Sequence, residues 1–81
     1  MARYFFHLRD GTDVALDEEG QELGNLEAAK AGALVAARDS LSHDIRDGVV
    51  DLRLRIDVED DAGRVIHSLP FGDAYQVITQ H

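Results

Sequence analysis

Carboxylates and histidines are the residues of this chain with most chemistry to offer, and their spacing decides against most of it. Asp57, Glu59, Asp61 and Gly63 fall at alternate positions, as in a calcium loop, but that loop needs glycine at its sixth position and a bidentate glutamate at its twelfth. Those positions hold Ala62 and Ser68. The four histidines, His7, His43, His67 and His81, show no H-x-x-x-H spacing and have no cysteine beside them, so no zinc ligand set is read. Ser42, His43 and Asp44 hold the side-chain types of a hydrolytic triad, yet consecutive helical residues point in different directions and cannot converge. The glycines form neither a G-x-G-x-x-G nor a Walker phosphate loop. The expectation is a domain with no catalytic residue, no metal and no cofactor.

The elements that would position these groups follow from hydrophobic periodicity. Tyr4, Phe6 and Leu8 alternate with Arg3, Phe5, His7 and Arg9, which predicts a strand with one greasier face. Asp10-Gly11 is a hairpin-turn dipeptide and leads into a second short strand, Val14-Ala15-Leu16. Asp17 to Gly20 reads as another turn, and Gln21 to Leu23 as a few extended residues. A strand starting almost at the first residue leaves no room for a targeting sequence, and no window approaches the ~20 apolar residues of a membrane span.

From residue 26 to 46 the period changes. Leu26, Ala29, Ala33, Leu34, Ala37, Leu41 and Ile45 recur at three- and four-residue spacing, one stripe of an amphipathic helix. Asn25 is the expected N-cap and Gly48 the left-handed residue that ends it. Arg38 is placed on the solvent side. Gly32 is unfavourable in mid-helix by up to ~1 kcal/mol relative to alanine, which leaves open a close backbone contact there.

Leu52 to Glu59 alternates four apolar with four charged residues, the signature of a strand with one dry and one wet face. Asp60-Asp61-Ala62-Gly63 turns it, and Arg64 to Phe71 returns, with Pro70 marking an edge or an end. A four-residue loop with Gly63 at positive φ sets Glu59 opposite Arg64, Val58 opposite Val65, Ile56 opposite His67, Leu54 opposite Leu69 and Leu52 opposite Phe71. The tail after Gly72 is read as one helical turn around Ala74, Tyr75 and Ile78. The fold class is therefore α+β: a β-hairpin, one amphipathic helix and a second β-hairpin, with an antiparallel sheet of about four strands under the helix. Residues 1–81 form one domain with an ordered core over 3–71 and a tail over 72–81. The sheet's outer face is expected to carry Phe5, His7, Arg53, Arg55 and Ile66, an aromatic and arginine mixture typical of interfaces.

Sixteen acidic against eight basic residues give the chain a net charge of −8. Such a surface repels phosphate backbones, so no generic nucleic-acid binding is expected. The absence of cysteine fits a reducing, cytoplasmic setting. A chain of 81 residues builds a thin core, and a partner that buries further apolar surface would stabilise it.

The opening RYFFHLRDG, the turn LDEEGQEL, the helix start NLEAAKAGAL and the closing DDAGRVIHSLPFGDA together resemble a family of small bacterial single-domain proteins of unknown function. The resemblance covers nearly all of residues 2–74 and implies a compact domain without assigning it an activity. The residues themselves point to a small non-catalytic protein-interaction or regulatory module, self-associating as a homodimer or docking to another protein. Two alternatives stand beside it. One is an antitoxin-like or nucleic-acid-mimicking acidic protein, since the order hairpin then helix with LEAA is similar to small antitoxins of the HicB type; their separate DNA-binding segment is not evident here. The other is a dimeric metabolite binder or small enzyme with His7 and Arg53 or Arg55 in an interfacial cleft.

Overall fold

The alternating aromatic segment at the start of the chain becomes the central strand, β1 (Ala2–Asp10). The computed structural model describes residues 2–11 and 13–78. Strand β2 (Asp13–Ala15) returns antiparallel along β1, with Asp10 opposite Asp13. Strand β3 (Gln21–Leu23) then pairs with the other end of β1, Tyr4 opposite Gln21. Helix α1 (Leu26–Asp47) follows, and strands β4 (Leu54–Glu59) and β5 (Val65–Pro70) close the sheet. The strand order is β2-β1-β4-β5, with β3 also on β1. All pairings are antiparallel, so the α+β class stands with five strands.

Both ends of α1 are closed by the residues expected to close them. Asn25 Oδ1 accepts the amide of Ala28 at 2.9 Å, and Gly48 takes φ +85°. The buried face of α1 is a row of small side chains, Ala29, Ala33 and Ala37, ending in Leu41. A thin face lets the helix approach closely, and the mid-helix glycine belongs to that approach. A Cβ at Gly32 would lie 3.1 Å from Cζ of Phe6, so the glycine makes room for the aromatic ring of β1. Tyr4, Ile56 and Val58 pack beneath the helix, and Phe71, fully buried, closes the end of the core with Ala74.

The C-terminal hairpin corrects the expected register. Val58 faces His67, Asp57 faces Ser68, Ile56 faces Leu69 and Arg55 faces Pro70, with a bulge that leaves Glu59 opposite Val65. The cause lies in the turn. Asp60 Oδ1 accepts the amides of both Ala62 and Arg64, and the Asp60 amide donates to the Arg64 carbonyl at 2.9 Å. Arg64 is thus drawn into the turn, where the pattern had paired it with Glu59. Gly63 does take positive φ, at +81°. The ladder shifts by two residues, which preserves the faces of Leu69 and Phe71, whereas the bulge exchanges those of Val65 and Ile66. Ile66 packs against the core and Val65 is half exposed.

Two further expectations change at the strand ends. Leu52 and Arg53 precede β4 in a turn in which Asp51 Oδ1 accepts the Arg53 amide. After β5 the only helical turn in the described residues is a 3-10 turn at Phe71–Asp73. The turn expected around Tyr75 and Ile78 does not form, and residues 79–81 lie outside the described ones.

Candidate functional site

Alternation sends Arg3, Phe5, His7 and Arg9 of β1 to the face away from α1, beside Arg55, Asp57 and Glu59 of β4. Cross-strand pairing sets His7 opposite Asp57, Phe5 opposite Glu59 and Arg9 opposite Arg55. The centre of this face is Asp57, only 4 % exposed. Ser68 of β5 donates its hydroxyl to Asp57 Oδ1 at 2.6 Å, and Arg55 Nε donates to the same oxygen at 3.1 Å. Arg9 Nε lies 2.6 Å from Oδ2, but its N–H is off line, so that contact is one of charge rather than a hydrogen bond. Burial pushes the Asp57 carboxyl up; the Ser68 hydroxyl and the Arg55 guanidinium, with the Arg9 charge added, outweigh it. The carboxyl therefore sits below the usual carboxylate range.

His7 is 6 % exposed and engaged at both ring nitrogens. Nδ1 accepts the backbone N–H of Asp17 at 3.0 Å, and Nε2 lies 3.2 Å from Glu59 Oε2. An accepting Nδ1 carries no proton, so neutral His7 holds its proton on Nε2 and presents it to Glu59. Its ring stacks on Phe5, with centroids 6.3 Å apart and planes at 10°.

Asp17 belongs to residues 16–20, which lie between β2 and β3 without pairing as a strand, so that a side chain rather than a backbone carbonyl meets the Phe6 amide. The Asp17 carboxylate supplies one: Oδ2 accepts Phe6 N–H at 3.1 Å, while Oδ1 accepts Gly20 N–H at 3.1 Å. Burial raises this carboxyl, and the amides of Phe6, Gly20 and Glu19 lower it further than burial lifts it.

Of the five residues expected on this face, Phe5, His7 and Arg55 come together. Arg53 stands apart, bound through Nε and Nη2 to both oxygens of Asp51 at 3.0 and 2.9 Å; that contact holds the Asp51 carboxyl down to about 2. Ile66 lies on the core side. Asp57, Glu59 and Arg9 share the parity of His7 and Arg55 in the sequence, so alternation alone could have singled them out. Ser68 needed the bulged register, and Asp17 comes from a loop that carries no periodic signal.

A second feature lies at the other side of the molecule. Arg38, Leu41 and Ile45 of α1 line an apolar cleft of about 290 Å³ with Val50, Leu52 and Tyr75. The Arg38 guanidinium, expected to be solvated, donates from Nε to the carbonyl of Ala74 at 2.7 Å and holds the C-terminal segment against the helix. Among the described residues no group of three or more His, Asp or Glu side chains could hold a metal ion, and no helix is long and apolar enough to cross a membrane.

One helix laid across a five-stranded antiparallel sheet, with an ion-paired outer face, defines a small two-layer α+β domain. The chain belongs to the family described as a domain of unknown function, DUF6894, whose model matches residues 3–72. No curated protein matches it, and no solved structure does.

Proposed function

We propose that this chain is a non-catalytic protein-interaction module that works as a homodimer through the cleft at the C-terminal end of α1. The observation that carries the reading is the clustering of exposed apolar side chains there. Among the side chains lining the cleft, Ile45 is 66 % exposed, and Val50, Leu52 and Tyr75 are exposed as well. Exposed apolar side chains gathered around one cleft mark contact sites more often than apolar side chains scattered singly.

A second copy fits this surface better than a dissimilar partner. A two-fold contact must be self-complementary, and apolar side chains meet that condition without charge pairing. The net charge of −8 opposes the approach of a second copy, so the apolar contact has to outweigh that repulsion. The outer sheet face supports the non-catalytic part of the reading. A general base needs a nitrogen or oxygen free to meet a substrate, whereas His7 is buried and both its nitrogens are engaged.

Sedimentation equilibrium at micromolar concentration tests the reading. The wild type is expected at twice the chain mass, Ile45→Asp at the chain mass, and Val65→Lys, on the sheet face, at twice the chain mass. A monomeric wild type with no concentration dependence overturns the proposal, and a dimer that survives Ile45→Asp places the contact elsewhere.

A further inference from the structure

Arg9 and Arg55 stand directly opposite each other on β1 and β4, an arrangement that is destabilising for like charges unless something intervenes. What intervenes is one carboxylate. Asp57 meets both guanidiniums, and it meets each at Nε, at 2.6 Å and 3.1 Å. One negative charge therefore serves two positive ones. The other carboxylates nearby find their hydrogen-bond or ion-pair partners elsewhere: Asp17 at the Phe6 and Gly20 amides, Glu59 at His7, and Glu22 at Arg3.

The donors are left over as well. Among the described residues the terminal Nη groups of Arg9 and Arg55 make no hydrogen bond, and the two side chains are 33 % and 45 % exposed. Asp57 is itself fixed from the β5 side by Ser68. The two guanidiniums are thus anchored at one edge by a buried carboxylate. Their Nη edges, the part of the fork that recognises planar and tetrahedral oxyanions, are unused.

We propose that the Arg9–Arg55 pair is a binding site for one oxyanionic group, a carboxylate or a phosphate, held by the Nη donors of both arginines. The bound anion reduces the repulsion between the facing guanidiniums. This site lies on the sheet face and is independent of the cleft at the end of α1.

Titration with inorganic phosphate and, separately, with acetate, at constant ionic strength and followed by nitrogen-edited NMR, tests the assignment. Saturable shifts are expected at the Nε–H groups of Arg9 and Arg55 and at the amides around them. A response to phosphate alone identifies a phosphate group, and a response to acetate identifies a carboxylate. Arg55→Gln should weaken binding by about tenfold or more, as loss of a charged hydrogen bond requires, with the remaining amide spectrum unchanged. Arg53→Gln removes the same charge off the face and should leave binding unaltered. Absence of saturable shifts with both anions, or equal weakening by Arg53→Gln and Arg55→Gln, overturns the proposal.

Discussion

The backbone N–H of Asp17 donates to Nδ1 of His7 across 3.0 Å while the Asp17 carboxylate accepts the Phe6 amide of the same strand. A single loop residue thus sets the tautomer of a buried imidazole and satisfies an amide at the interrupted edge.

Asp17→Ala should therefore destabilise the fold by about 1–3 kcal/mol, the range for leaving part-buried donors unpaired. The same carboxyl links stability to pH, together with Asp57. Both have folded pKa values below the ordinary carboxylate value, so the folded state binds fewer protons than the unfolded chain in the acid range. Their stabilisation is fully present above about pH 4 and is lost as pH falls through the folded values. Urea midpoints measured from neutrality into the acid range should decline below about pH 4, and Asp17→Ala should flatten that decline.

Gly20 takes φ +69°, and a Cβ there would lie 2.8 Å from the Tyr4 carbonyl and 2.9 Å from the Phe5 ring. Gly48 has a comparable φ of +85° with nothing within 4 Å. Gly48→Ala should cost about 1 kcal/mol from the backbone alone, and Gly20→Ala at least about 2 kcal/mol, because contact is added to conformational strain. Denaturant titrations of the two variants separate these contributions; equal costs would mean that the loop yields around the new methyl group.

Arg38→Ala should cost about 1 kcal/mol or more, similar to loss of the Asn25 cap, since it removes a charge-assisted bond to the Ala74 carbonyl. It should also loosen the segment that carries Tyr75. Limited chymotrypsin digestion checks this: faster cleavage after Tyr75 is expected, with the helix signal in circular dichroism retained.

How much of this was legible in the chain depends on whether the cause was periodic. The alternation from Leu54 to Glu59 and the Asn25 and Gly48 caps act through local rules, and each forms as the pattern implies; the hairpin at Gly11 forms too, but with Asp10 already paired to Asp13 in the strands. The bulge at Ile66 arises from the Asp60 side chain gathering two amides, which no hydrophobic pattern records. Leu52 and Arg53 continue the strand alternation perfectly, yet Asp51 claims Arg53 and bends the chain before β4 begins. Gly32 is explained only by the Phe6 ring that meets it. On the outer face, parity could assemble Arg9, His7, Arg55, Asp57 and Glu59, but the burial of Asp57 depends on Ser68, whose place follows from the bulge.

The segment at residues 16–20 also bears on how far copies of this protein can assemble. A sheet margin that presents an unbroken row of backbone donors and acceptors is a template for another strand. Here one margin is split between β2 and β3, with the Phe6 amide already bound to a side chain. The opposite margin, β5, is bent by its bulge and ends at Pro70, which has no N–H to offer. Neither side can recruit a further strand over more than a few residues. Copies that meet through the helix end in the way proposed are therefore expected to stop at a closed pair and not to run on into filaments.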